Sequence, residues 1–363
     1  MITISLCMIV KNESKVLGRC LDSIAGAVDE IIIVDTGSGD DTKNIAAAYT
    51  DKVYDFPWQD NFSAARNFSF SKGTMDYCMW LDADDVVPPD SSKKLLRLKK
   101  TLAPDTDMVM MPYAAAFHSD GSPSFIYYRE RLVRNHAGFQ WAGHVHECIA
   151  PSGKVVYEDM VIEHRKPAGS VSAGRNLAIY ERMLSDGLEL NTRDRFYYAR
   201  ELFYNQRPEA ARENFIKVIY DDNAWSENRI DACRLLAMCD DRLGLDDEAL
   251  EALFKSFAFD IPRAEILYDI GMHFQKKKDY HRAVYWYELA LGCRENASSG
   301  GFVEKDYYGY YPSVQLCVCH YALGDVATAY AYHKKSGQWH TDTPEYTQNE
   351  AFFKKYYKDK QSR

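Results

Sequence analysis

At 363 residues, 46% hydrophobic and 27% charged, the chain is long enough for two domains with ordinary cores and too apolar to be disordered. A formal net charge of −9 argues against nonspecific nucleic-acid binding and so against nucleic acid as a partner. No window approaches the ~18 apolar residues of a membrane-spanning helix, and nine cysteines without C-x-x-C spacing point to reduced thiols in a cytoplasmic protein, against disulfides or a cysteine zinc site.

Residues 2–10 form an apolar run ended by Lys11-Asn12-Glu13 with no basic segment before it, which reads as a first strand and not a signal peptide. Leu17, Leu21 and Ile24 recur at helical spacing over 16–24. The β-branched run 31–34 then ends in Asp35-Thr36-Gly37-Ser38-Gly39. A helix at 42–49, a short strand at 52–55, a helix at 64–71 and the apolar run 77–81 follow. Strands alternating with short helices argue for βαβ units and a mostly parallel sheet, with ligands at its carboxyl edge. No G-x-G-x-x-G follows the first strand, so a dinucleotide site lacks support.

A further helix is expected over 91–102. From 108 to 162 the pattern turns β-rich and mixed, with strands at 108–112, 124–132, 139–141, 155–156 and 160–162. Lys166-Pro167-Ala168-Gly169 combines proline and glycine after a strand and marks the best boundary. The expected domains are therefore an α/β unit at 1–167, a helical unit at 168–340 and a helical tail at 341–363. That tail carries Lys354, Lys355, Lys358 and Lys360 and reads as a solvated basic helix end.

The helical half repeats. Leu236-Ala237 with Ala249, Leu253 and Ser256 matches Ile270-Gly271 with Ala283, Tyr287 and Ala290, displaced by 34 residues. Leu316-Cys317 with Ala329, His333 and Ser336 is a third copy, displaced by a further 46. Ala199, Leu202, Ala211, Phe215 and Val218 form a weaker first one. Small residues let paired helices approach closely, and a 34-residue helix-turn-helix period is that of tetratricopeptide (TPR) repeats. Stacks of this kind make concave surfaces that hold peptides or a second subunit, so a homodimer through these helices is an expectation. The third interval leaves room for an insertion, 296–312, whose Gly300-Gly301 and Tyr307 to Tyr311 cluster fits either an irregular connector or an aromatic binding loop.

Several residue groups can carry chemistry. Trp80-Leu81-Asp82-Ala83-Asp84-Asp85 delivers three carboxylates where an apolar strand ends, and Asp82 and Asp84 can both reach one oxygen-loving ion such as Mg²⁺ or Mn²⁺. Asp35 can accept the N–H of a base, beside a glycine-rich turn that lets backbone approach. Arg66, in Phe62-Ser63-Ala64-Ala65-Arg66-Asn67, can pair with phosphate. In Trp141-Ala142-Gly143-His144-Val145-His146-Glu147, Trp141 offers a flat apolar face and Glu147 a candidate general base. His144 and His146, expected on one strand face, and His164 are candidate ligands, His164 as a third ligand for a metal held by Asp84. No Gly-x-Ser-x-Gly elbow or Walker loop appears.

Taken together, Met8-Ile9-Val10-Lys11-Asn12-Glu13, Val34-Asp35-Thr36-Gly37-Ser38, the Phe62–Asn67 segment and Trp80–Asp85 resemble a family 2 glycosyltransferase of the GT-A type over residues 1–167. The resemblance implies a metal-dependent, inverting transfer of a hexose from a UDP-sugar. It implies that Asp35 reads the uracil ring and that Asn12 and Glu13 line the nucleotide pocket. Asp82, Ala83 and Asp84 would form the Asp-x-Asp motif, Asp84 being the more direct ligand of Mn²⁺ or Mg²⁺ and His164 completing the metal site. Arg66 would stabilise the departing UDP, Glu147 would be the base, and Trp141 and His146 would meet the acceptor. A GT-A domain followed by TPR-like helices further resembles bacterial glycosyltransferases that modify peptides or proteins, including the S-glycosyltransferases of glycosylated bacteriocins. Two other readings are a glycosyltransferase acting on a cell-surface saccharide and a TPR scaffold with an inactive GT-A domain. A nucleotidyltransferase is disfavoured, because residues 2–14 lack a glycine-rich basic signature.

Overall fold

The first strand, β1 (Ile4–Val10), is buried almost throughout, as a central parallel strand covered on both faces must be. The computed structural model describes residues 1–167, 174–295 and 300–361. These divide into two units: Met1–Phe117 with Ile126–Glu189, and His118–Phe125 with Leu190–Arg363. Among the described residues no helix is long and apolar enough to cross a membrane, and all nine cysteines are free thiols.

In the first unit β1 is followed by α1 (Leu17–Ile24), β2 (Glu30–Asp35), α2 (Thr42–Ala47), β3 (Val53–Asp55), α3 (Phe62–Phe70), β4 (Tyr77–Trp80), β5 (Asp85–Val86) and α4 (Pro89–Thr101). β6 (Met108–Phe117), β7 (Pro123–Arg134), β8 (Val155–Tyr157), β9 (Ile162–His164) and α5 (Arg175–Ser185) complete it. The sheet runs β3-β2-β1-β4-β7-β6-β9-β5, with β8 beside β6. β3, β2, β1 and β4 are parallel, while β7 joins β4 antiparallel and β9 joins β5 antiparallel. The sheet is therefore mixed, with a parallel half that matches the βαβ expectation. Its core packs Leu6, Met8, Leu17, Leu21, Ile33, Met79 and Leu98. Fully burying one such side chain is worth ~1.5–3 kcal/mol. Leu17, Leu21 and Ile24 form the buried stripe of α1, so truncating Leu21 would cost about 2–5 kcal/mol.

The strand expected at 139–141 is absent. Gly138 turns left-handed (φ 84°) just before it. The backbone of Trp141 is then held by the side-chain amide of Asn67, which accepts from its N–H and donates to its carbonyl. With that pairing satisfied locally, no neighbouring strand is needed. The last strand begins at Ile162 rather than 160. Ala168 and Gly169 of the boundary signal lie outside the described residues.

The second unit is built from helical hairpins: α6 (Thr192–Tyr204) with α7 (Pro208–Ile219), α8 (Ser226–Leu243) with α9 (Asp246–Lys255), α10 (Ala264–Lys276) with α11 (Tyr280–Gly292), and α12 (Tyr310–Ala322) with α13 (Val326–Ser336); α14 (Pro344–Gln361) follows. Each hairpin turns the same corner. Gln206, Gly244, Lys278 and Gly324 take left-handed φ of 60°, 76°, 59° and 84°. The next residue's N–H bonds back to the carbonyl five before it: Arg207 to Leu202, Leu245 to Asp240, Asp279 to Phe274, Asp325 to His320. That is the Schellman closure. The repeat read in the sequence is a packing repeat, since Ala211, Ala249, Ala283 and Ala329 are all buried on the second helix of their hairpins. At Gly271 an added Cβ would stand 2.6 Å from the ring of Tyr287, so the smallest residue is required there. This region is TPR-like.

Residues 296–299 of the expected insertion lie outside the described residues, and 300–309 are not an open connector. Tyr307 packs edge-on to Tyr268 at 5.0 Å under Arg234 at 4.6 Å, and the Tyr308 hydroxyl donates to Glu265 at 3.1 Å. α12 starts at Tyr310, with Pro312 in its first turn, where a missing N–H costs nothing. The tail lysines are exposed as expected, but α14 also buries Phe353 at 2% exposure.

Candidate active site

The carboxyl ends of β1, β2 and β4 lie side by side, since Val10 pairs with Asp35 and Cys7 with Trp80. Asn12, Glu13, Asp35 and the 82–85 turn are thereby delivered to one sheet edge, where open α/β sheets bind ligands. Asn12 takes φ 57°; its side chain accepts from Gly39 N–H at 2.8 Å and its own N–H donates to Ser38 at 2.9 Å. Glu13 N–H donates to Thr42 at 2.8 Å. Burial pushes the Glu13 carboxyl up to about 7, with Asp84, Asp82 and Asp40 adding to the rise and Arg175 opposing it.

Asp35 is 1% exposed. Its Oδ1 accepts from Gly37 and Ser38 N–H at 2.9 and 2.8 Å, closing the turn. Its Oδ2 is buried with no hydrogen-bond partner.

The centre of the site is Arg66, on α3. This helix is capped by Asn61, whose side chain accepts from Ala64 N–H at 2.9 Å. Arg66 Nη2 donates to Asp82 Oδ1 at 2.7 Å and Nε to Glu147 Oε1 at 2.6 Å. The guanidinium packs against the rings of both Trp80 and Trp141, 4.7 and 4.9 Å from their centroids, and its Nη1 is buried without a partner. Burial would raise the Asp82 carboxyl, but the charges of Arg66 and Arg131 outweigh it and hold it well below the usual carboxylate range.

Asp84 and His164 meet: Nδ1 lies 3.3 Å from Asp84 Oδ1 and 3.2 Å from Asp85 Oδ1. This follows from the antiparallel β5–β9 pairing, which sets Asp85 opposite His164. Burial opposes protonation of His164, but its hydrogen bonds to Asp84 and Asp85 prevail and raise the imidazolium to about 9. The three donor atoms lie within 4.8 Å of one another, and an oxygen-rich set with one imidazole suits Mn²⁺ or Mg²⁺. Asp85 is already engaged, because it is fully buried, takes Arg131 Nη1 at 3.1 Å and accepts from the Tyr113 hydroxyl at 2.9 Å. Asp84 and His164 are the freer pair for an ion. Asp82 faces Arg66, and Ala83 is buried between the two aspartates.

The 141–148 segment departs from expectation. His144 and His146 do not share a strand face, because Gly143 (φ 99°) and His146 (φ 53°) are both left-handed and bend the chain. Trp141 is 3% exposed, edge-on to Trp80 at 5.1 Å and Phe70 at 5.7 Å. Its ring is used on the core and on Arg66 rather than on open surface. Glu147 is delivered by the Ala142–Cys148 bridge.

Sequence reasoning missed Arg129, Glu130 and Arg131 on β7. Arg129 pairs with Glu130 at 3.1 Å. The guanidinium groups of Arg129 and Arg131 lie 4.8 and 3.7 Å from the Trp80 ring. A charged triplet inside a strand's apolar run was the available signal.

Residues 5–152 match the family model described as Glycosyl transferase family 2. Over 258 residues the chain is 28% identical to the SPbeta prophage-derived glycosyltransferase SunS of Bacillus subtilis, covering 64% of this chain and 58% of that one. Over 85 residues it is 47% identical to a TPR repeat-containing protein of Synechococcus elongatus, covering 23% and 21%. Over 166 residues it is 28% identical to the lipopolysaccharide core biosynthesis glycosyltransferase LpsC of Rhizobium meliloti, covering 42% and 58%. The chain thus spans less than two thirds of the length of each of these curated relatives.

Proposed function

We propose, because residues 5–152 belong to glycosyl transferase family 2, that this chain transfers a sugar from a UDP-sugar to a peptide or protein acceptor, with a divalent ion and with inversion at the anomeric carbon. The observation that carries the reading is Asp35 Oδ2, a buried acceptor with no donor at the edge that also presents Asp82 and Asp84. A buried unsatisfied group costs about 1–3 kcal/mol, and the imide N–H of uracil is its complement. Arg66 Nη1, a buried donor also without a partner, suits a phosphate oxygen.

Asp84 and His164 would hold Mn²⁺ or Mg²⁺, which when bound supplies a Lewis acid for the departing diphosphate. Asn12 and Glu13 flank the nucleotide, and Asp82 keeps Arg66 aimed at it. Glu147, oriented by Arg66 Nε, takes the proton from an acceptor hydroxyl or thiol. The acceptor atom forms its bond to the anomeric carbon as the bond to UDP breaks on the opposite face. His146 and the bend around it border the acceptor, while Trp141 positions Arg66. The peptide acceptor is favoured by the TPR-like helices in the same chain, since such stacks bind extended peptides.

Isothermal titration with UDP, ADP and GDP, with and without Mn²⁺, tests this. Asp35→Asn keeps an oxygen for the 37–38 turn and turns an amide donor toward the ligand, so UDP affinity should fall about tenfold or more. Equal affinity for the three nucleotides, or an unaffected Asp35→Asn protein, would sink the donor assignment. A saccharide acceptor is the second reading, favoured by the likeness to a lipopolysaccharide core enzyme. Sugar transfer to core oligosaccharide but to no peptide pool would select it.

A further inference from the structure

A second histidine–carboxylate cluster lies within the helical unit. His118 is in the His118–Phe125 segment that belongs to this unit, Asp306 is in the short 3₁₀ turn Lys305–Tyr308, and His340 follows α13. His340 Nε2 is 2.9 Å from Asp306 Oδ1, and His118 Nε2 is 4.0 Å from Asp306 Oδ2. The two imidazoles lie side by side, with ring centroids 4.3 Å apart and planes tilted by 42°. The three side chains are 21%, 14% and 15% exposed, half-buried with access to water. The edge of Tyr310 backs His340 at 5.0 Å. Two neighbouring carboxylates are engaged elsewhere: Asp120 accepts from Ser122 N–H and hydroxyl at 2.8 and 2.6 Å, and Asp342 accepts from the Ser119 hydroxyl.

Two protonated imidazoles at this separation, sharing one carboxylate, would set like charges against each other. Two neutral imidazoles would instead leave both Nε2 atoms beside the Asp306 carboxylate, 4.0 and 2.9 Å from its oxygens. A cation there satisfies both nitrogens and the carboxylate at once. Two imidazole nitrogens and one carboxylate oxygen suit a borderline ion, above all Zn²⁺, with water in the fourth tetrahedral position. The donor atoms lie within 4.8 Å of one another, near enough for one ion to gather all three.

We propose that His118, Asp306 and His340 form a Zn²⁺ site, separate from Asp84 and His164, whose role is to fasten three segments remote in sequence. Asp306 is 188 residues from His118 and 34 from His340. An ion shared between them restrains loops whose closure costs entropy, and its binding free energy stabilises this unit.

The test uses the full chain, stripped with chelator and titrated with Co²⁺ and then Zn²⁺. An Asp84→Asn background silences the other candidate metal site. Tetrahedral Co²⁺ absorption, saturating at one ion per chain and displaced by Zn²⁺, is expected in that background. His340→Gln and Asp306→Asn should each weaken binding by more than about a hundredfold, since even an outer-sphere partner is worth about 10–100-fold. Zn²⁺ should also raise the melting temperature of the Asp84→Asn protein and not of these variants in the same background. The same Asp84→Asn protein gives a readout that needs no change at the proposed site: Zn²⁺ must shift two histidine Nε2 resonances together. Absence of the Co²⁺ spectrum, or Zn²⁺ affinity unchanged in His340→Gln and His118→Gln, overturns the site and leaves a metal-free histidine–aspartate pair.

Discussion

Arg66 donates through Nε to Glu147 at 2.6 Å, joining residues 81 apart in sequence, while the same guanidinium holds Asp82. Only a planar fork serves two carboxylates in fixed directions, so lysine is not an equivalent. Arg66→Lys should lower kcat/KM for sugar transfer by about 10²–10³-fold, the range for losing one preorganised donor. UDP release with saturating donor measures it. Wild-type turnover in Arg66→Lys would remove Arg66 from the chemistry.

Asp84 and Asp85 are adjacent carboxylates with opposite expected phenotypes. Asp84→Ala loses one of the two carboxylates that hold the His164 imidazolium, so it should lower the denaturation midpoint by less than Asp85→Ala does and abolish the Mn²⁺-dependent part of UDP binding. Asp85→Ala strands Arg131, which is completely buried, and removes the acceptor for Tyr113. Breaking such a buried pair costs about 3–5 kcal/mol. Urea denaturation of both variants, beside calorimetry with Mn²⁺ and UDP, separates the roles. Equal stability in the two proteins would contradict the assignment.

Glu30 gives the first unit a pH dependence. Burial would raise its carboxyl, but hydrogen bonds from Lys52, Ser5 and Thr74 prevail and bring it from 4.5 to about 2. The folded value lies below the unfolded one, so the stabilisation is complete above pH 4.5 and is lost as pH falls through about 2. The Lys52 side chain is 39% exposed, and screening on that side brings the expected contribution to about 2 kcal/mol. Glu30→Gln should therefore lose about that much at neutral pH and show a flatter acid limb. Chemical denaturation at several pH values reads both. An acid limb of unchanged slope would show that Glu30 does not set it.

Gly271→Ala puts a methyl group where the ring of Tyr287 already stands, 2.6 Å away. The ring is fully buried and its hydroxyl donates to Gln275 at 2.6 Å, so it has nowhere to retreat. A loss of about 1–3 kcal/mol is expected, despite alanine's better helix propensity. Gly271→Ala with Tyr287→Phe should recover little, because the clash is with the ring. A stabilised Gly271→Ala protein would show that the helices can part.

The parallel half of the sheet was legible because a strand covered on both faces must be apolar throughout, which residues 4–10 and 31–34 state directly. The helical repeat was legible through its buried alanines, since close helix approach admits few side chains. The partner of Asp85 was not. β5 has two residues, too few to carry a pattern, and its pairing with β9 is a long-range register. The strand expected at 139–141 is absent because Phe139-Gln140-Trp141 is strand-like only in composition, and the His144-Val145-His146 alternation mimics a strand face that the chain does not form. The backbone there is instead satisfied by Asn67 and bent by two left-handed residues. The arginines around Trp80 escaped notice because buried cations are rare, and only their partners on other strands explain them.

The common corner of the four hairpins determines where this architecture can grow. Each closes on one left-handed residue and the same backward hydrogen bond, leaving two or three residues between its helices. Extra chain at a corner would destroy that closure. Among the described residues the intervals between hairpins show no such closing hydrogen bond, and the long interval between α11 and α12 falls there. That graft supplies Glu304 to Arg234, Tyr308 to Glu265 and Asp306 to the two histidines. The repeat keeps its own geometry invariant and takes on new chemical groups at its seams.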